Sequence, residues 1–389
     1  MIAIKNGKIV TPGKIIEDKV LLIENGRIKG LAYDDDGAGT IIDAHGRYIT
    51  PGFIDVHSDK IEQFIQPRPT SEMDFELALK ECERELLHMG ITTIYHSLSL
   101  QKEEFFGKSP LRTKENVLKI SDLIENIHKR YHLIHHRFHL RIEIDNPEGF
   151  DISSELIKSK RVQEISFMDH TPGQGQYRSL EIYEKSLAAY GGKEIEAIGM
   201  ERILDYHRTK EVLSLEQMKE LTRLAHQNGI PVASHDDDTE EKLAINKAIG
   251  VDISEFPILI ETAKAAQREG FFTVVGAPNI LLGGSHSGNM SAADAICEGC
   301  ADILCSDYYP SAILHSIFIM NEKYHIPLWE MVNKATLIPA KAMKIDEDYG
   351  SVEAGKKADL LIIDVLDGYP VITHVLIDGN ITSRVEYRR

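Results

Sequence analysis

The chain has 389 residues with 42% hydrophobic content, ordinary for a folded protein and long enough for one large domain with an appendage or for two domains. Lys and Arg total 44 against 61 Asp and Glu, and the formal net charge of -17 argues against a nonspecific grip on nucleic acid or an anionic membrane. No apolar run of about 18 residues is present to span a bilayer, and the four cysteines (Cys82, Cys297, Cys300, Cys305) are too few and too clustered for a secreted disulfide framework.

The amino terminus, Met1-Ile-Ala-Ile-Lys-Asn-Gly, reads as a short strand and a turn rather than a signal peptide, so the cytoplasm is the expected compartment. Short alternating segments follow, with Asn6-Gly7 and Asn25-Gly26 expected as hairpin turns. The far end repeats this style, with a turn over Gly350 to Gly355, a strand from Ala358 to Val365, and a strand from Val375 to Asp378 reaching a Gly379-Asn380 turn. Residues 1–50 and 345–389 are therefore expected to form one discontinuous β-sandwich, leaving 51–344 as a second domain.

From Thr50 onward strands and helices alternate, the pattern of parallel strands with crossover helices. Thr50 to Asp59 is the first strand. Apolar residues at Phe75, Leu79, Cys82, Leu86 and Met89 make a helical stripe that Gly90 closes. Strands are expected at Ile91–Leu98, His139–Asp145 and Glu164–His170, then an insertion with helices near 180–189 and 196–207, and a capping box at Ser214-Leu-Glu-Gln217. Strands over 230–235, 251–256, 271–277 and 301–307, separated by helices over 240–249, 261–269 and 291–298, complete the set. Eight β/α units in about 290 residues fit a closed TIM-type (β/α)8 barrel carrying a small β-sandwich built from both termini. An open doubly wound sheet is the rival, but no Gly-x-Gly-x-x-Gly loop follows the first strand. Cys297-x-x-Cys300 lies in a helix-like stretch and is read as small buried hydrophobes rather than half of a zinc site.

Barrel enzymes carry their chemistry at the C-terminal strand ends, where this chain places His57 and Asp59, Arg141 and Glu143, His170, His235 and Asp307. Read singly, each histidine is a satisfied core or surface residue; together with the carboxylates they suit a site of two divalent ions, zinc, manganese or iron. His57, Asp59 and Asp307 are assigned to one ion, His170 and His235 to the other, and Glu143 bridges, with Glu255 as the fallback. Such ions acidify a shared water and polarise the bond under attack, while Asp307 would carry the proton to the leaving group. His128, His132, His135, His136 and His139, in or beside a polar helix-to-strand connection, are expected to be mostly solvated. Asp55 is read as supporting the ligands from below, and Asp236, Asp237 and Asp238 as a helix N-cap cluster.

The chain resembles the amidohydrolase superfamily through its opening motif Pro51-Gly-Phe-Ile-Asp-Val-His57, its strand-eight Asp307 and the return segment Gly350 to Asp359. The usual opening motif is His-x-His, and Asp59 replaces the second histidine. Further stretches are similar to one subgroup, the PhnM-type phosphonate-pathway diphosphatases: His57-Ser-Asp-Lys60 with Glu62, Met168-Asp-His-Thr-Pro-Gly-Gln174, Ala233-Ser-His-Asp-Asp237, Gly276-Ala-Pro-Asn279, Gly283-Gly-Ser-His-Ser-Gly-Asn289 and Ser306-Asp-Tyr308. That resemblance implies a small phosphorylated ribose substrate, α-D-ribose 1-methylphosphonate 5-triphosphate, cleaved to the 5-phosphate and pyrophosphate. Gly284, Ser285, His286 and Ser287 are then expected to turn N–H donors toward phosphate, with Lys60, Arg141 and Arg178 as candidate cations. A cyclic-amide or N-acyl hydrolase, a metal-free scaffold and a homo-oligomer remain open.

Overall fold

Seven short strands open the chain: β1 (Ile2–Lys5), β2 (Lys8–Thr11), β3 (Lys14–Ile16), β4 (Val20–Glu24), β5 (Arg27–Ala32), β6 (Thr40–Asp43) and β7 (Tyr48–Pro51). The computed structural model describes residues 1–102, 111–171, 175, 205, 209–285 and 289–388. Arg178, His286, Ser287 and the helices expected near 180–189 and 196–207 lie outside the described residues. Asn25 and Gly26 both adopt positive φ, 51° and 77°, the backbone of a type I′ turn, and join β4 to β5 as an antiparallel hairpin. Asn6-Gly7 does something else, because β1 and β2 lie in different sheets and the turn passes the chain from one to the other.

The later strands β16 (Leu360–Leu366), β17 (Tyr369–Ile377) and β18 (Asn380–Arg384) join the opening strands in a six-stranded sheet of order β18-β17-β16-β7-β2-β3. A four-stranded sheet, β5-β4-β1-β6, stands separately from it. Ile4, Ile9, Leu21, Ile28 and Ile49 from the opening strands share one buried cluster with Leu360, Ile362 and Leu376 from the closing ones.

Between them run β8 (Phe53–Ser58), β9 (Ile91–Leu100), β10 (His135–Glu143), β11 (Glu164–Met168), β12 (Val232–His235), β13 (Ile253–Glu255), β14 (Phe272–Gly276) and β15 (Ile303–Cys305). They form one parallel eight-stranded sheet in sequential order. A parallel bridge between Ser58 and Asp307 brings the last strand back to the first, so the sheet is a nearly closed barrel and not the open doubly wound alternative. Leu140 and Ile142 belong to the cluster that fills the layer between strands and helices, which leaves His139, Arg141 and Glu143 on the inward face.

The helices follow local chemistry. Asp74 caps Phe75–His88 by accepting from Leu77 N, and Gly90 leaves that helix at φ 83°. Ser214 and Gln217 make the reciprocal capping box that opens Leu215–Gln227. Asp236 to Asp238 are not the cap of Glu240–Ile249: Thr239 is, accepting from Lys242 N. Asp237 instead is buried and accepts from Ser234 and Ser254 Oγ, both at 2.6 Å, and from Asn246 Nδ2. Its acceptor demand is met by side chains, so it ties β12 to β13 rather than serving a helix dipole.

Candidate metal and phosphate site

His57 is buried at the end of β8, its Nδ1 2.9 Å from Oε1 of Glu255 at the end of β13. His139, also buried, lies in β10 with Nε2 3.9 Å from Glu255 Oε2. The ligand atoms of His57, His139 and Glu255 all fall within 4.8 Å of one another. Burial pushes the Glu255 carboxyl up, but the charges of His57 and His139 and the His57 hydrogen bond outweigh it and hold it at about 2. Glu143, two residues beyond Arg141 in β10, has Oε2 2.8 Å from His170 Nδ1. Against the push of burial, His170 and the nearby Arg141 and Arg112 hold Glu143 at about 2 as well.

Glu143 Oε1 and Glu255 Oε2 are buried with no hydrogen-bond partner. Two ionised carboxylates, each with an unsatisfied oxygen beside imidazoles, are a donor set that divalent cations complete. His235 ends β12 with its ring centroid 5.5 Å from that of His57, and Phe256 lies edge-on to His57 at 5.0 Å and 4.9 Å from His235. Asp236 brings Oδ2 to 2.8 Å from His235 Nδ1.

Asp307 closes the ring of residues through its backbone: its N–H donates to the His57 carbonyl at 3.0 Å, and its carbonyl accepts from Asp59 N at 2.9 Å. Burial lifts its carboxyl to about 6 against the pull of His57, with the charge of Asp59 adding to the lift. Asp236, Phe256 and Asp307 all hold φ between 53° and 56°, a conformation costly for residues with a Cβ, at three strand ends around one mouth.

Asp59 is engaged differently from the other ligand candidates. Its two oxygens accept from Arg141 Nη1 at 3.0 and 3.3 Å. Lys60 points elsewhere, its ammonium 2.9 Å from Glu85 on the outer helix Phe75–His88. Gly284 and Ser285 follow the helix Ala277–Leu282; Gly284 has φ 158° and open space where a Cβ would stand.

The expectation of solvated histidines is corrected for two of them. His136 and His139 are buried, because strand β10 begins at His135 and carries them into the sheet. His136 lies 2.9 Å from His96 and 3.1 Å from Glu83, and His139 Nε2 lies 2.8 Å from Ser166 Oγ. His139 shares the inward alternation of Arg141 and Glu143, a signal present in the strand's own period. Arg112 also reaches this region, and no sequence motif marks it. Its carbonyl accepts from Gln101 N just past β9, and its Nε donates to both oxygens of Glu62 at 3.0 and 3.2 Å.

A barrel with this ligand mouth and a return to the opening sheet matches one family across most of the chain, the amidohydrolase family, over residues 48–382. The chain belongs to that family. Among its relatives, the amidohydrolase α-D-ribose 1-methylphosphonate 5-triphosphate diphosphatase of Escherichia coli (strain K12) is 30% identical over 97% of this chain and 98% of its own length. An imidazolonepropionase from Thermoplasma volcanium is 22% identical over 90% of this chain and 85% of its own length. Among solved amidohydrolase-like structures, N-acetylglucosamine-6-phosphate deacetylase from Pasteurella multocida superposes with a TM-score of 0.65 at 13% identity, covering 97% of this chain and 98% of that one. Dihydropyrimidinase from Brevibacillus agri does so with a TM-score of 0.65 at 13% identity, covering 98% and 95%. These two establish the shared fold. Among the described residues, no helix is long and apolar enough to cross a membrane.

Proposed function

We propose that this amidohydrolase cleaves the 5-triphosphate of α-D-ribose 1-methylphosphonate 5-triphosphate to the 5-phosphate and pyrophosphate. The observation that carries the assignment is the 30% identity to the diphosphatase of that name over nearly the whole of both chains. The guanidinium-bound Asp59, where the superfamily's opening motif has histidine, supports an anionic substrate over a cyclic amide.

His57, His170, His235, Asp59, Glu143, Glu255 and Asp307 are the residues that would hold divalent ions, two by our assignment. When bound, such ions supply charge neutralisation at the phosphoryl oxygens and acidify water. The protein's own part is to place a water oxygen at the α-phosphorus, where a new P–O bond forms and the bond to the bridging oxygen of the β-phosphate breaks. Asp307 accepts the water's proton and returns it to the departing pyrophosphate. Arg141 and the Gly284-Ser285 turn face the polyphosphate. We place the enzyme in the cytoplasm, acting on a small metabolite, with residues 1–50 and 345–389 as one unit and 51–344 as the catalytic one.

Protein loaded in turn with zinc, manganese and iron, incubated with the ribose triphosphate in 18O-water, is expected to release pyrophosphate and to carry the label in the ribose 5-phosphate product. Stepwise release of orthophosphate, no turnover with any of the three metals, or preferential turnover of hydantoin or dihydroorotate would refute the assignment.

A further inference from the structure

Two arginines stand on one side of the barrel mouth, each attached to a carboxylate through a single nitrogen. Arg112 uses only Nε, which reaches both oxygens of Glu62, and Arg141 uses only Nη1, which reaches both oxygens of Asp59. A guanidinium can present two nitrogens to two oxygens in parallel, as Arg223 does to Glu220. Here that fork is left open twice. Nη1 and Nη2 of Arg112 make no hydrogen bond among the described residues, and Arg141 Nε is buried without a partner. The unmade hydrogen bond on buried Arg141 Nε is costly unless something supplies the acceptor, and the open nitrogens of Arg112, whose side chain is 22% exposed, can be reached by a ligand.

The two groups act on one place. Glu62 and Asp59, the carboxylates that hold them, lie in a single turn, with Glu62 N donating to the Asp59 carbonyl at 3.1 Å. Arg112 enters the mouth after β9 and Arg141 rises from the neighbouring strand β10. Both side chains are largely withdrawn from water, at 22% and 7% exposure, so a charge-assisted bond to either is stronger than on an open surface. One orthophosphate satisfies one fork; two open forks side by side call for a longer polyanion.

We propose that Arg112 and Arg141 form a clamp for the β- and γ-phosphates, the part of the substrate that departs as pyrophosphate, and that Glu62 and Asp59 hold the guanidiniums in register until phosphate oxygens take up the open N–H groups. The clamp rests on the triphosphate assignment above and adds its length specificity: Arg112 makes the site prefer a diphosphate tail to a single phosphate.

Calorimetric titration of the manganese-loaded protein with inorganic pyrophosphate and with orthophosphate tests this without any turnover. Arg112→Gln alone leaves Glu62 buried and uncompensated, so the principal variant is Arg112→Gln/Glu62→Gln, with Arg112→Lys as a second that keeps the charge and loses the fork. Circular dichroism and metal content establish that each variant is folded and equally loaded. Pyrophosphate affinity is expected to fall at least tenfold in the double variant and at least threefold in Arg112→Lys, while orthophosphate affinity moves less than twofold. Pyrophosphate affinity within twofold of wild type in a folded, loaded variant, or equal losses for the two anions, would overturn the clamp. Pyrophosphate binding that depends on Arg112 in a protein unable to cleave the ribose triphosphate would refute the activity and leave the clamp standing. Cleavage with pyrophosphate affinity indifferent to Arg112 would do the reverse.

Discussion

Glu143 and Glu255 divide the work of the site in a way that strand position alone does not reveal. Each engages a different histidine, Glu143 with His170 and Glu255 with His57, so each orients one imidazole and leaves one oxygen over. Glu143→Gln and Glu255→Gln remove the charge while keeping the shape, and each is expected to weaken metal retention by roughly tenfold or more. Elemental analysis after dialysis against a weak chelator measures it; full retention in both variants would mean that neither carboxylate supports an ion. The strand-end placement of His57, Glu143 and His235, though not the grouping of His139 and Glu255 with His57, was legible because a two-residue period and a strand end fix where a side chain points. Arg112 and the burial of His136 were not, because each depends on what packs against it from other segments, which no local pattern encodes.

At the scale of elements, the capping box of Ser214 and Gln217 and the turn at Asn25 and Gly26 were read correctly from local signals, whereas the cap expected at Asp236 to Asp238 falls to Thr239. Asn6-Gly7 misled because a turn pair reports that the chain bends and not which strand it pairs with next. Gly90 shows the same division. Its place after a helix is a local matter, but its surroundings are not: a Cβ there would lie 2.7 Å from Ile372 Cδ1, 2.8 Å from Leu361 Cδ1 and 3.0 Å from Phe53 Cε2, at φ 83°. Gly90→Ala must therefore both strain the backbone and displace the packing of β16 and β17 on the barrel's base. A loss of about 2–4 kcal/mol is expected by urea unfolding, well beyond the roughly 1 kcal/mol expected for Ser214→Ala at the capping box. Equal costs for the two would show that the seam yields easily.

For the whole molecule, the buried histidines set a pH dependence. Burial holds His96 well below its ordinary value, with the neighbouring His136 adding to the effect, and His139 is pushed down to about 3. The unfolded chain takes up protons near pH 6.5 that the folded chain refuses, so each such histidine removes stability as the pH falls below 6.5 and removes none above it. The slope approaches about 1.4 kcal/mol per pH unit for one group. The stability gap between wild type and His96→Gln is expected to narrow by about 1 kcal/mol between pH 7.5 and 5.5, read from urea midpoints at both values; a constant gap would show that His96 titrates normally in the fold. The eight-stranded order was also legible, since a repeated β/α alternation leaves few topologies. What the alternation did not show is where the barrel shuts. The closing contacts are made by the backbones of His57, Asp59 and Asp307, so the seam and the reactive mouth are one place. A chain emerging from the ribosome presents His57 long before Asp307 exists, and domains ordinarily fold as their segments are completed. The polypeptide therefore cannot assemble this mouth until its eighth barrel strand has been made.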